Sequence, residues 1–220
     1  MTGRRTLAHP APRAPRPGDD KYSRGVVGFR TGSQRYPGAA VLGVEAAWRT
    51  GIGMVRYVGP RRAEDLVLQR RPETVLGDGR VQAWVIGSGV DSASRTHEET
   101  AGLRGILSGQ VPVIADAGAL DLVPGAAAPL LVTPHAREHD ALRDRLGLAA
   151  LDRDADDDAR SAAALETARA LGAAVLLKGS VTLVAAPDGR VRRVGPGSPW
   201  LATAGTGDVL AGAIGALVAS

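Results

Sequence analysis

The sequence predicts an α/β protein with a mainly parallel central sheet flanked by helices on both faces. Three observations carry this expectation. Short apolar runs alternate with segments of helical periodicity from residue 25 onward. The apolar runs are continuous, as in strands buried on both faces. Small and polar residues collect just after those runs, at the carboxyl edge where such sheets bind ligands.

The elements follow in order. Residues 25–29 read as a strand followed by a Gly-rich turn, and 38–49 carry Ala, Val, Leu and Trp at helical spacing. A strand is expected at 54–58, a helix at 61–69, and a strand at 83–86 that runs into Gly87-Ser88-Gly89. A polar helix spans about 92–107. Buried strands at 112–115 and 130–132 each end in polar chemistry, and 136–146 and 157–171 read as helices. Three strands, 174–177, 181–186 and 191–194, close the sheet, with Pro187-Asp188-Gly189 as a hairpin turn between the last two. The final helix starts near Thr206, where Val209, Leu210, Ala213, Ile214, Leu217 and Val218 form one apolar stripe.

Composition bounds the function. The 220 residues are 44% hydrophobic but only 3% aromatic, so one sizeable core must be built from Ala, Val, Leu and Ile. The absence of cysteine excludes a disulfide scaffold, thiolate metal sites and a cysteine nucleophile. No apolar run approaches the ~20 residues that span a bilayer, and the basic start lacks the apolar segment of a secretory signal. A pI of 10.1 points toward nucleic acid, but the excess sits in a Pro- and Arg-rich arm, residues 1–18, with Arg4, Arg5, Arg13 and Arg16. The remaining chain carries 23 basic and 23 acidic residues, so no nucleic-acid partner is expected, and the arm reads as disordered. Of the 27 basic residues all but Lys21 and Lys178 are Arg. A lysine kept against that bias is a candidate for work that needs a compact ammonium, and its neighbours favour Lys178.

Several motifs carry chemistry. Gly205-Thr206-Gly207-Asp208 opens the last helix. Two glycines and a helix N-terminus can aim amide hydrogens at one anion, and an aspartate there suits a base that deprotonates an attacking hydroxyl; a helix-start aspartate is the bland alternative. Lys178-Gly179-Ser180-Val181-Thr182 offers donors for phosphate or ribose, or is merely a tight link between strands. There is no Gly-x-x-x-x-Gly-Lys-Ser/Thr sequence, which argues against a P-loop ATPase, and Gly87-x-Gly89 lacks the third glycine of a dinucleotide fingerprint. His135 after Thr133-Pro134 reads as a structural hydrogen-bonder or a ligand contact, and Glu138 as dipole compensation in a first helical turn. Asp152-x-Asp154-x-Asp156-x-Asp158 lacks the glycine and glutamate of a calcium loop and reads as a solvated helix start.

Seven motifs occur in order: Lys21-Tyr22-Ser23-Arg24-Gly25, Tyr36-Pro37-Gly38-Ala39-Ala40, Thr50-Gly51-Ile52-Gly53, Asp116-Ala117-Gly118-Ala119-Leu120, Thr133-Pro134-His135, Leu177-Lys178-Gly179 and Ala202-Thr203-Ala204-Gly205-Thr206-Gly207-Asp208. Over residues 19–220 the chain resembles the ADP-dependent NAD(P)H-hydrate dehydratase family, a carbohydrate-kinase-like domain. The resemblance implies a ribokinase-like fold and a cytoplasmic metabolite-repair lyase. Such an enzyme phosphorylates the ring hydroxyl of hydrated NADH or NADPH, with ADP or ATP as donor and Mg2+, then eliminates the phosphate. It implies that Ala39, Gly89, His135 and Asp208 line the hydrate site. Lys178, Gly179, Ser180, Val181, Thr182 and Gly207 would hold the nucleotide, and Gly205, Thr206 and Gly207 would form the anion hole. Asp208 would be the base, and Glu138 would place magnesium through water. An NAD(P)H-hydrate epimerase is the implied functional partner, and a homo-oligomer stays open. The chain departs from the family pattern at Arg137, usually small, at Ser88 in a Gly-Pro-Gly turn, and in ending at Ser220 within or just after the Asp208 helix, where relatives continue with further helices. A ribokinase-like vitamin-alcohol kinase or a non-catalytic nucleotide binder are the alternatives; Thr-Pro-His in place of Thr-Pro-Asn argues against the kinase.

Overall fold

The computed structural model describes residues 14–152 and 154–220. Most of the arm, with Arg4, Arg5 and Arg13, lies outside the described residues; residues 14–18 are exposed.

One sheet organises the chain. Its strands are β1 (Val26–Arg30), β2 (Met54–Tyr57), β3 (Val75–Leu76), β4 (Ala83–Ile86), β5 (Val113–Ala115), β6 (Leu130–Val132), β7 (Ala174–Leu177), β8 (Thr182–Ala185) and β9 (Val191–Val194). They lie in the order β3-β2-β1-β4-β5-β6-β7-β8-β9. Every pairing is parallel as far as β7; β8 and β9 then join antiparallel. The helices are α1 (Gly38–Thr50), α2 (Arg61–Arg70), α3 (His97–Leu107), α4 (Ala136–Arg145), α5 (Asp157–Leu171) and α6 (Thr206–Ala219).

Side chains of successive strand residues divide the core into two layers. Val27, Phe29, Val55, Val85 and Ile114 join a cluster with Val44 of α1, Val67 of α2 and Ala211 of α6. Val26, Trp84, Ile86, Val113 and Val132 join the other, with Leu103 of α3, Leu142 of α4 and Ala164 of α5. Helices therefore cover both faces, as the continuous apolar strands required.

One expectation needs correction, and one strand is additional to those expected. The helix read from residue 92 begins at His97. Asp91 accepts from the Ala93 amide at 3.0 Å, and Thr96 and Glu99 form a reciprocal capping box, with amide-to-side-chain bonds of 2.7 and 3.1 Å. Those local bonds hold 91–96 out of the helix despite its helical composition. The additional strand is the edge strand β3, whose two residues are too few to carry a period in the sequence. The hairpin between β8 and β9 forms as expected, with Gly189 at φ 99, and Asp156 caps α5 by accepting from the amides of Asp158 and Ala159.

Glycine sets where α6 sits. A Cβ on Gly212 would run into the carbonyl of Gly43 in α1, and one on Gly215 would run into Val85 of β4. Without those side chains α6 drops against α1 and onto the sheet. Its amino end then lies at the carboxyl edge of the parallel strands, and the Asp208 carbonyl rests against Gly43.

Candidate functional site

The strand order reverses between β1 and β4, and ligands in such sheets bind beyond the carboxyl ends at that point. Parallel pairing brings the polar ends of β1, β4, β5, β6 and β7 to this one edge. The Gly32 amide donates to Ser88 O at 2.7 Å across the reversal. Gly89 has φ 68, and a Cβ there would collide with the side chain of Ala39. The structure thus brings Ala39 and Gly89 together as one wall.

The centre of the edge is a polar network. Asp116, 3% exposed, ends β5. Its Oδ1 accepts from Thr133 Oγ1 at 2.8 Å and from Lys178 Nζ at 2.8 Å, and its Oδ2 accepts from Ser88 Oγ at 2.9 Å. The Lys178 amide is fixed by Pro134 O at 2.8 Å. From there the ammonium also comes within 3.8 Å of Glu138 Oε2. It lies 3.3 Å from where a Cβ on Gly207 would stand, so Lys178 meets the amino end of α6. Lys21, the other retained lysine, is in the turn before β1 and lies over the Tyr22 ring, away from this edge.

Gly205 caps α6 with φ 91, a left-handed conformation that suits glycine. The first-turn amides of a helix have no intrahelical acceptor and face outward with the positive end of the dipole. One member of the expected anion hole is committed elsewhere: the Thr206 amide donates to Thr203 O at 3.3 Å and its hydroxyl to the same oxygen at 2.7 Å. The turn that swings the chain into α6 takes that donor, leaving Gly207 and its neighbours for an anion. Asp208 is half-buried beside them. Burial, and then the negative charge of Asp116, push its carboxyl up to about 6 against the opposing pull of Lys178. Among the described residues no hydrogen bond or ion pair engages that carboxylate.

His135 is the N-cap of α4. Its Nδ1 accepts from the Glu138 amide at 3.3 Å, while the Glu138 carboxylate accepts from the His135 amide at 2.7 Å. This capping box satisfies the structural reading of both residues. It leaves the histidine exposed at the edge, with Nε2 3.5 Å from Glu138 Oε1. Arg137 is exposed and does not prevent the box from forming. The 178–182 segment is only partly a loop, since Thr182 opens β8; Gly179 and Ser180 are exposed beside the Arg160 guanidinium, which reaches Val181 O.

A cavity of about 430 Å³ adjoins this edge at the ends of β1 and β2, lined in part by Arg30, Thr31, Gly32, Val90 and Glu98. Thr31 Oγ1 is buried there and has no hydrogen-bond partner among the described residues. Among the described residues no three His, Cys, Asp or Glu side chains form a metal-holding group. Glu138, whose side chain is 23% exposed, presents hard carboxylate oxygens to solvent beside Lys178. That suits a magnesium ion, which keeps most of its waters. Among the described residues no helix is long and apolar enough to cross a membrane.

Sequence reasoning placed Asp116, Ser88 and Thr133 at the right edge but gave them no role. The signal was the polar residue ending each central strand.

Residues 27–220 match the family described as NAD(P)H-hydrate dehydratase. The chain is 45% identical over 218 residues to the bifunctional NAD(P)H-hydrate repair enzyme Nnr of Mycobacterium tuberculosis, covering 94% of this chain and 43% of that protein. It is 34% identical to the ADP-dependent (S)-NAD(P)H-hydrate dehydratase of Xanthomonas campestris, covering 100% of this chain and 82% of the relative. Among solved structures it resembles the ADP/ATP-dependent NAD(P)H-hydrate dehydratase of Bacillus subtilis co-crystallised with ATP/Mg2+. That match has a TM-score of 0.78 at 26% identity and covers 93% of this chain and 80% of the other. The chain thus spans under half the length of the bifunctional relatives.

Proposed function

Because the chain belongs to the NAD(P)H-hydrate dehydratase family, we propose that it restores hydrated NADH or NADPH at the expense of ADP. The observation that supports this most is the meeting of Lys178, the Gly207 backbone and Asp208 at the amino end of α6. An ammonium, unpaired amides and an unengaged carboxylate are the parts a phosphoryl transfer to an alcohol needs.

Asp208 removes the proton of the ring hydroxyl. The oxygen attacks the terminal phosphorus of ADP, the bridging P–O bond breaks, and AMP leaves. Lys178 and the first-turn amides of α6 stabilise the charge on the transferring group, and Gly207 allows the phosphates close approach. Hydroxide is a poor leaving group and phosphate a good one. The ring C–O bond therefore breaks, the adjacent ring carbon loses a proton, and the dihydronicotinamide double bond returns without net oxidation. Glu138 would hold magnesium through water, and that ion supplies neutralisation of the nucleotide phosphates. Ala39, Gly89 and His135 line the ring's side of the site. The cavity next to Gly32 gives room for the rest of the dinucleotide. The strand-link residues Gly179, Ser180, Val181 and Thr182 face the nucleoside. We place the enzyme in the cytoplasm, acting with an epimerase that supplies the reactive epimer.

The test is incubation with purified hydrated NADH, ADP and Mg2+, following the absorbance of restored NADH. Recovery that requires ADP and releases AMP and phosphate supports the proposal. Nucleotide consumed on a vitamin alcohol, or binding without turnover, refutes it in favour of a kinase or a binder.

A further inference from the structure

Lys178 stands between two carboxylates of different fate. The geometry points to Asp116 as a positioning residue that holds the Lys178 ammonium off Asp208, turned toward the nucleotide phosphates, and so leaves Asp208 free to act as base. This rests on the proposed roles of Lys178 and Asp208.

The argument is one of competition for a single cation. Asp116 is held by groups other than Lys178: Ser88 at the end of β4 and Thr133 at the end of β6 each donate to it, at 2.9 and 2.8 Å. Three strand ends therefore set where the ammonium sits, rather than one flexible side chain. The ion pair with Asp116 is 2.8 Å long, and among the described residues no ion pair joins Lys178 to Asp208. Yet the ammonium lies 3.3 Å from where a Cβ on Gly207, the residue next to Asp208, would stand. Among the described residues, few charged groups surround Asp208. Asp116 comes from the end of β5 and Lys178 from the end of β7, with Glu138 and His135 of α4 beside the lysine; α1 contributes Leu42 and Gly43, which carry no charge. Without the Asp116 charge, Lys178 is left with Glu138, 3.8 Å away and already bound to the His135 amide, and with Asp208, whose carboxylate no hydrogen bond engages among the described residues. A cation brought within ~4–6 Å of a carboxylate lowers its pKa by about 1–3 units. A base so paired is both weaker and occupied.

The experiment uses the full chain and Asp116→Asn, which keeps the size of the side chain. Carbon-13 NMR titration of the free protein follows the Asp208 carboxyl, assigned by its absence in Asp208→Asn. The midpoint should fall by about one unit or more in Asp116→Asn, from loss of the direct Asp116 repulsion as well as from approach of Lys178, so Thr133→Val, which keeps that charge, is the arm that isolates the lysine. In turnover of the hydrate, kcat should fall about tenfold or more and the acid limb should move to lower pH. ADP affinity should fall, but by less than in Lys178→Ala, because the ammonium is no longer held toward the phosphates yet is still present near them. Lys178→Ala should show ADP affinity lost and the Asp208 midpoint raised. Thr133→Val, which removes one bond to Asp116 and no charge, should shift the midpoint in the same direction by less, and it stands in if Asp116→Asn does not fold. An unchanged or raised midpoint in these variants overturns the inference. So does loss of ADP affinity in Asp116→Asn as severe as in Lys178→Ala, which would make Asp116 a wall of the nucleotide pocket. A parent that shows these midpoint shifts but never restores NADH overturns the proposed function and upholds the positioning.

Discussion

Asp208→Asn tests chemistry and stability with one substitution, and the two readouts should move in opposite directions. The carboxyl is pushed from 3.8 up to about 6, by burial first and by Asp116 second. A folded-state pKa above the unfolded one means the group favours folding when protonated, and that advantage is lost as pH rises from about 4 through 6. A shift of about two units corresponds to about 3 kcal/mol. Asp208 is only half-buried, so solvent screening cuts this to about 1 kcal/mol. Asparagine is neutral throughout. The variant should therefore melt about 2–4 °C higher than the parent at pH 7.5 and within error of it at pH 4. Turnover should fall about 10²–10⁴-fold, as for loss of a general base, while ADP affinity is kept or improved because a negative charge leaves the phosphate site. The parent's own kcat/KM should fall on the acid side with a midpoint near 6. The assays are calorimetric melting at both pH values and hydrate-dependent NADH recovery. A variant that turns over within a few-fold of the parent, or melts lower at pH 7.5, would show that Asp208 is an ordinary helix-start residue and that its burial has been misjudged.

Other perturbations probe the frame around it. Lys178→Ala should weaken ADP binding at least about tenfold in calorimetric titration, since it removes a charged hydrogen-bond donor from the phosphate site, and should lower the melting temperature because buried Asp116 loses its cation. Gly212→Ala drives a methyl into Gly43 O; we expect about 1–3 kcal/mol of lost stability in urea unfolding, with reduced turnover as α6 and Asp208 shift. His139 is buried with Nε2 3.0 Å from Thr167 Oγ1, and burial, then the Arg143 charge, push it down to about 4. Its contribution is present above pH 6.5 and lost as pH falls toward 4, so His139→Gln should flatten the stability profile across that window, a span of about 3 kcal/mol. Deleting residues 1–18 should leave melting temperature and ADP affinity unchanged; tight, salt-sensitive DNA binding by the intact chain that disappears on deletion would refute the reading of the arm.

What the sequence made legible was whatever is encoded by period. The strands Ala83–Ile86, Leu130–Val132 and Ala174–Leu177 and the helix Asp157–Leu171 stand where their apolar patterns put them. The late start of α3 was not legible, because Thr96 and Glu99 choose a capping box over continued helix and both choices use the same residues. The two residues of β3 pair with β2 only because the sheet edge is already there. The site divides the same way. A glycine turn before a helix announces an anion hole, and a rare lysine announces itself in an arginine-rich chain. What cannot be read along the chain is who holds that lysine. Asp116 and Lys178 are 62 residues apart, and only the parallel order β4-β5-β6-β7 carries their strand ends to one edge. The same order brings Ser88 and Thr133 to the two sides of Asp116, so one arrangement of strands fixes the carboxylate, the cation and the free face of Asp208 together.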